Sequence, residues 1–437
     1  MTPVTPSFDD DERALARALH GRVDAMNESP LGLQDVSTKA GKIRRRRQVT
    51  AAVGVAAAVA ILVPAAIAAG GFFSHAPEPP VVSQSSTPSA TPSAVESPST
   101  SPSVSTPPAP VSQVFDVKGL ETGAAPGVAY AVLDYRGYEA HGGTIHGTDG
   151  SETPLPDLSL RSFAPLGDGY IVDMWDPDSL VEWVFQLDHN GATIGDGWQA
   201  DGGIAVSPGG TIVAWTGTDG TVYTADAAHD EILTMPAITA PGPYETAGVV
   251  GEDCKEGRST DAGCTVFVNT NGKTPQAWFT TSHGIVDRLP TITKATAVLE
   301  RRVAGVFSVD ETEPGSCSWM LEDFGTKLWK SCDNTLGAIA PDGTMLVGLP
   351  DYLDGFGPTT LDILDMADGT PIRSWTADQA SATYFQEVWE DETHLLMVTF
   401  QDNEWSIVRL GADGSMDYAV PPVQKSMDHG PFVIARH

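Results

Sequence analysis

One short pattern recurs through the C-terminal part of the chain and limits what it can fold into: a strand, a tight turn, a second strand. It reads "FQLDHNGATIGDGW", "YTADAAHDEILTMP", "FTTSHGIVDRLP", "MLEDFGTKLWKS", "LDMADGTPIRSW" and "VRLGADGSMDYA", with a weaker copy, "GTIHGTDGSETPLP", ahead of them. The turn residues Gly150, Gly191, Asp230, Gly284, Gly325, Gly369 and Gly414 are separated by steps of 41, 39, 54, 41, 44 and 45 residues. A second recurring piece, "GIAVSPGGTIVAW" and "GAIAPDGTMLVGL", fits the opening hairpin of the same unit, with "SPGG" and "APDG" as its turns. One four-stranded sheet cannot bury both of its faces. Stacking such sheets radially supplies a core, and closing the ring protects the edges. The spacing therefore predicts an all-β fold, a β-propeller of seven blades filling Val114–His437, with six and eight as the neighbouring counts. A tandem of β-sandwiches is the alternative, but it leaves the period unexplained. The terminal runs "QVFDV" (Gln113–Val117) and "PFVIA" (Pro431–Ala435) are expected to pair in a shared blade that closes the ring.

Ahead of the repeats lies a different texture. From Val49 to Phe73 there are 25 residues without Asp, Glu, Lys or Arg, enough to cross a hydrocarbon core of about 30 Å. Lys42, Arg44, Arg45, Arg46 and Arg47 flank the N-terminal side, and no Lys or Arg follows until Lys118. That asymmetry predicts a single transmembrane helix over 49–73, a cytoplasmic N-terminus and an exterior C-terminal domain. A secretory leader has an apolar core of roughly 7–15 residues near the chain start. Here the core is longer and 48 residues precede it, which favours a signal-anchor; "AIAAG" (Ala66–Gly70) keeps cleavage as the alternative. Residues 74–112 are rich in Ser, Thr and Pro and lack aromatics, which predicts a disordered stalk holding the 113–437 propeller away from the bilayer.

Charge follows the same division. Residues 1–48 hold nine Lys/Arg and seven Asp/Glu, whereas the remainder holds 16 and 50. An exported portion this acidic repels nucleic acid, so no nucleic-acid partner is expected. All four cysteines, Cys254, Cys264, Cys317 and Cys332, fall on the predicted outer side. An even count in an oxidising compartment points to two disulfides. No closely spaced Cys/His set suggests zinc. Of the three pairings, 254–264 and 317–332 are favoured: the second pair straddles the Gly325 turn, and the first brackets the loop that lengthens the 54-residue step.

The N-terminal "DDDERALARALHGRVDAM" reads as a short helix, with Asp9–Asp11 complementing its dipole and Leu15, Leu19 and Val23 along one stripe. A helix this short is marginal alone, so residues 9–27 are expected to meet a cytoplasmic protein partner. This helix, the "RRRR" run, one Ala/Val-rich span, a Ser/Thr/Pro stalk and a propeller together resemble a group of actinobacterial single-pass membrane proteins. Such proteins often accompany extracytoplasmic-function sigma factors. The resemblance implies a minimal anti-sigma-like cytoplasmic segment and an extracellular propeller of the WD40/TolB-like kind. The residues that carry it lie between Asp11 and Ala69. The zinc pattern H-x₃-C-x₂-C of other anti-sigma segments is absent, His20 being the sole histidine there.

No catalytic motif stands out. G-x-S-x-G, H-E-x-x-H, the P-loop and G-x-G-x-x-G are all missing, and "DMWDPD" and "DYLDGFG" do not fit a calcium loop. No catalytic residue, cofactor or metal ligand is therefore named from sequence. The ten Trp residues sit at strand positions and are expected to pack between blades. Two functions remain. One is a membrane-anchored cell-surface propeller that binds or senses a protein or glycan ligand and is linked to a cytoplasmic regulator such as a sigma factor. The other is an anchored extracellular propeller enzyme acting on glycans, with a carboxylate pair across the channel.

Overall fold

The computed structural model describes residues 111–255, 263–307, 316–350, 358, 360–377 and 382–437. Every regular element among them is a strand. None of them forms a helix long and apolar enough to cross a membrane. The expected span at 49–73, its Lys42 and Arg44–Arg47 flank and the stripe Leu15, Leu19 and Val23 lie outside the described residues.

In chain order the strands begin with β1 (Val111–Phe115), followed by β2 (Tyr130–Arg136), β3 (Glu139–His146) and β4 (Glu152–Leu155). Next come β5 (Ser159–Leu166), β6 (Gly169–Asp176), β7 (Val181–Leu187), β8 (Thr193–Val206), β9 (Ile212–Gly217), β10 (Val222–Asp226) and β11 (His229–Met235). Two sets of four follow: β12 (Tyr244–Val250), β13 (Thr265–Thr270), β14 (Gln276–Thr281), β15 (Val286–Arg288), then β16 (Lys294–Leu299), β17 (Arg302–Phe307), β18 (Cys317–Glu322), β19 (Thr326–Ser331). The last are β20 (Asn334–Ile339), β21 (Met345–Pro350), β22 (Thr360–Asp365), β23 (Pro371–Ala377), β24 (Ala382–Trp389), β25 (His394–Gln401), β26 (Glu404–Gly411), β27 (Met416–Gln424) and β28 (Phe432–Ile434).

These strands build an all-β propeller of antiparallel meanders. Hydrogen bonding groups the described strands into six sheets rather than seven separate ones. The cause is β8, whose 14 residues serve two neighbours. Its first half pairs with β7, from Leu187↔Thr193 to Glu182↔Ala200. Its second half pairs with β9, from Ile204↔Trp215 to Val206↔Val213. The ladder breaks between Ala200 and Ile204, across Asp201-Gly202-Gly203, where Gly203 takes a φ of +64°. The parts of the sheet on either side of this break pack on one another, Ile171 of β6 and Val184 of β7 sharing a core with Val213 and Trp215 of β9.

Apolar cores also lie between neighbouring sheets. Trp375 and Val347 pack against Trp389 and Met397, and Phe267 and Leu289 against Val303 and Leu321. Inner strands such as β9, "IVAWTG", are buried on both faces and read as continuous apolar runs. The outermost strands, such as β19, are largely exposed. Six of the seven turn residues read from sequence lie in hairpins between outer strands, among them Gly191, Gly369 and Gly414 at φ of +80°, +74° and +96°. The exception is Asp230, which falls inside β11 because Ala227 and Ala228 make that turn.

The expected pairing of the terminal runs is corrected. β28 does close the ring, but against β2 (Tyr130↔Ile434, Ala131↔Val433, Val132↔Phe432). β1 instead adds parallel to the outer edge of β23, from Val111↔Arg373 to Phe115↔Ala377. The chain then crosses β27, where Gly123 N–H donates to the Tyr418 carbonyl at 3.0 Å and Tyr418 N–H to that of Glu121 at 2.9 Å, before entering β2. β2 and β28 satisfy each other's backbone groups, so the entering segment is free to cover an outer edge.

Candidate functional site at the channel mouth

In an antiparallel four-stranded unit, the turn joining strands one and two and the turn joining strands three and four lie at the same end. The first strands of successive sheets touch around the axis, among them β12 with β16, β16 with β20, and β24 with β28. At the end of these strands that leads into the first turns, a cavity of about 150 Å³ opens on the axis. Its lining comes from the tips of β8, β16, β20 and β24 and from the residues after β28, and includes Val206, Val298, Ile339, Glu387, Trp389, Arg436 and His437. A wider groove of about 320 Å³ lies at the same end between the β3–β4 and β5–β6 turns, lined by Gly147, Asp149, Gly167, Asp168 and Tyr170. His437 borders both, so the two are continuous at that side chain.

Glu387 lies two residues from the end of β24. Burial pushes its carboxyl up to about 7, against the opposing pull of the Arg436 charge and its own backbone amide. Part of its surface meets the solvent of the channel, yet protein surrounds it. The Gly337 backbone leaves room for it, since a Cβ there would sit 3.3 Å from its Oε1. Burial likewise holds the His437 imidazole below its ordinary value, with the Glu390 charge opposing. Trp389 forms the wall beside Glu387, fixed by its indole N–H donating to the Ala338 carbonyl at 3.0 Å.

Just outside this mouth a buried ion network anchors the strap before β2. Arg409 Nη2 donates to Glu390 Oε1 at 2.9 Å, Nη1 to Asp417 Oδ1 at 2.9 Å, and the guanidinium also reaches the carbonyls of Ala124 and Ala125. The Gly127 amide donates to Glu390 as well. Burial alone would raise the Glu390 carboxyl. The hydrogen bonds from Arg409 and Gly127 outweigh it and hold the group below the usual carboxylate range.

Both disulfides form as expected, Cys254–Cys264 and Cys317–Cys332, with Cα–Cα separations of 4.8 and 4.1 Å. The first is embedded in the core between β8–β11 and β12–β15. The second links the start of β18 to the residue after β19. Glu252, two residues before Cys254, accepts from Ser207 Oγ at 2.5 Å and from the Gly209 amide at 2.7 Å, tying the disulfide loop to the β8–β9 turn. Trp215, Trp375, Trp389 and Trp405 are buried in the cores. No group of three or more His, Cys, Asp or Glu among the described residues could hold a metal ion. Sequence reading singled out neither Glu387, Arg436 nor His437.

No family model matches the chain, and no curated protein matches it. Among solved structures it is similar to the β-propeller domain of the Trilobed protease from Pyrococcus furiosus, at 14% identity and a TM-score of 0.41 over 60% of this chain and 84% of that one. It is similar to the C-terminal WD40 domain of Sif2, at 13% identity and a TM-score of 0.38 over 59% and 73%. It is also similar to the Pyrococcus horikoshii acylaminoacyl peptidase, at 10% identity and a TM-score of 0.40 over 60% and 46%. Likenesses this distant carry nothing beyond the propeller fold already described.

Proposed function

We propose that this chain is a membrane-anchored, cell-surface binding module whose propeller takes its ligand at the channel mouth, and whose cytoplasmic segment engages a regulator of the sigma-factor kind. The observation that carries the binding role is the axial cavity with its adjoining groove. Four strand tips converge there on an apolar pocket holding one perturbed carboxyl, one arginine and one histidine. Among the described residues, the axial pocket itself has a single acidic side chain, where a glycosidase-like site needs two carboxylates. That favours binding over glycan hydrolysis. We also infer seven blades. Dividing the long sheet at the Ala200–Ile204 break yields seven four-stranded units, each with one of the seven repeat hairpins, and their first strands touch in a closed cycle.

Anchoring and orientation rest on the uncharged 49–73 segment and its one-sided basic flank. Protease added to intact cells is expected to cut the 74–112 stalk and release the propeller while residues 1–48 stay protected. A propeller that resists digestion until the cells are lysed would reject the surface location. Crosslinking of the full chain in its native membrane is expected to trap a sigma factor, and Leu15→Asp with Leu19→Asp is expected to abolish that adduct.

A further inference from the structure

We propose that the channel-mouth cavity binds a primary ammonium group carried on a short apolar stem, an alkylamine or a lysine side chain, with Glu387 as the anion that receives it. This rests on the channel mouth being the ligand site and names the class of ligand. A volume of about 150 Å³ is the size that admits a benzene-sized body in an apolar protein cavity. Val206, Val298, Leu299, Ile339 and Val388 give the walls their apolar character. Among the described residues, Glu387 is the one acidic side chain in that lining. Within the described residues, its carboxylate has no hydrogen bond apart from its own backbone amide and no ion pair. A carboxylate so placed lacks the donors that would offset its burial, and an ammonium brings three. The stem then replaces channel water against apolar walls.

The surroundings favour a cation over an anion. The chain beyond residue 48 carries 50 acidic against 16 basic residues, a field that concentrates cations in a narrow cleft. Among the described residues, the charged or titratable side chains that line the cavity with Glu387 are Arg436 and His437, both on the segment after β28; β8, β16 and β20 contribute none. Burial holds the His437 imidazole below its ordinary value, so it opposes a cation less than a free imidazole would. Binding of the ammonium therefore follows ionisation of Glu387, strengthening as pH rises through neutrality.

The test uses the detergent-solubilised full chain and three probes of one size: pentylamine, pentanol and pentanoate, titrated calorimetrically near pH 5 and near pH 9. Pentylamine is expected to bind about ten-fold more tightly than pentanol near pH 9, with most of that margin lost near pH 5. Glu387→Gln is expected to erase the margin while leaving pentanol binding intact, which also shows that the variant is folded. Pentanol binding as well as the amine, or a margin that survives in Glu387→Gln, overturns the ammonium class and leaves the site as a ligand pocket. Preference for pentanoate assigns the pocket to Arg436 and overturns the proposal too. Binding of none of the three near pH 9 overturns the proposal and rejects the cavity as a site for bodies of this size.

Discussion

Two single residues carry consequences that stability measurements can read. Glu387 titrates near 7 in the folded chain against an ordinary value of 4.5. The folded state thus holds this proton more tightly than the unfolded one does. Its stabilising contribution is complete below about pH 4.5, declines as pH rises, and is gone above the folded value. Glu387→Gln cannot ionise, so its unfolding free energy should match that of the wild type near pH 4 and exceed it near pH 8 by roughly 2–3 kcal/mol in denaturant titrations. A gap that does not change with pH would mean that the carboxyl is not perturbed. Gly220 is the second. It adopts a φ of +82°, and a Cβ there would lie 2.1 Å from the Ile238 carbonyl oxygen. Backbone cannot yield as a flexible side chain can, so Gly220→Ala should cost about 2 kcal/mol or more in a denaturant titration. The glycine was legible as a turn in "TGTDGTVY"; the Ile238 carbonyl that makes it irreplaceable sits on the next connection and was not.

At the scale of elements, the strap between β1 and β2 depends on Arg409 as its buried anchor. Its side chain is 10% exposed and that of Glu390 9%. Truncating the arginine strands a buried carboxylate, and Arg409→Ala should lower stability by about 3–5 kcal/mol. Replacing Arg409 and Glu390 together by Met and Leu should recover much of that loss, as a double-mutant cycle would register. Sequence reading located most hairpins because a tight turn announces itself through glycine and aspartate within a few residues. It located both disulfides because each closes a local loop. It missed the partner of β1 because "QVFDV" alternates like any edge strand, and a parallel addition leaves no turn to mark it. It missed Glu387 for a related reason. In "ATYFQEVW" the period-2 pattern shows that alternate residues share a face, yet nothing in it tells which face turns to the axis. The continuity of β7 and β9 in one seven-stranded sheet was likewise hidden, because "QADGGIAV" reads as a loop until both ends of β8 are seen to be paired.

At the scale of the whole molecule, closure depends on three residues. β28 contributes Phe432, Val433 and Ile434, with Ile434 fully buried among Leu396, Ile407 and Val128. Ile434→Asp places a charge in that seam and should lower the melting temperature of the entire propeller by the equivalent of at least about 3 kcal/mol. Local fraying of β2 with the remaining sheets intact, seen by hydrogen exchange, would instead show that the ring tolerates being open.

The point at which the chain enters the ring has a consequence of its own. Because β1 lies along the outer edge of β23, that sheet carries a fifth strand at its rim, from Val111 to Phe115. An added strand there takes up the backbone N–H and C=O groups that β23 would otherwise offer to a passing chain, so the sheet's pairing edge is moved outward onto a short strand of its own sequence.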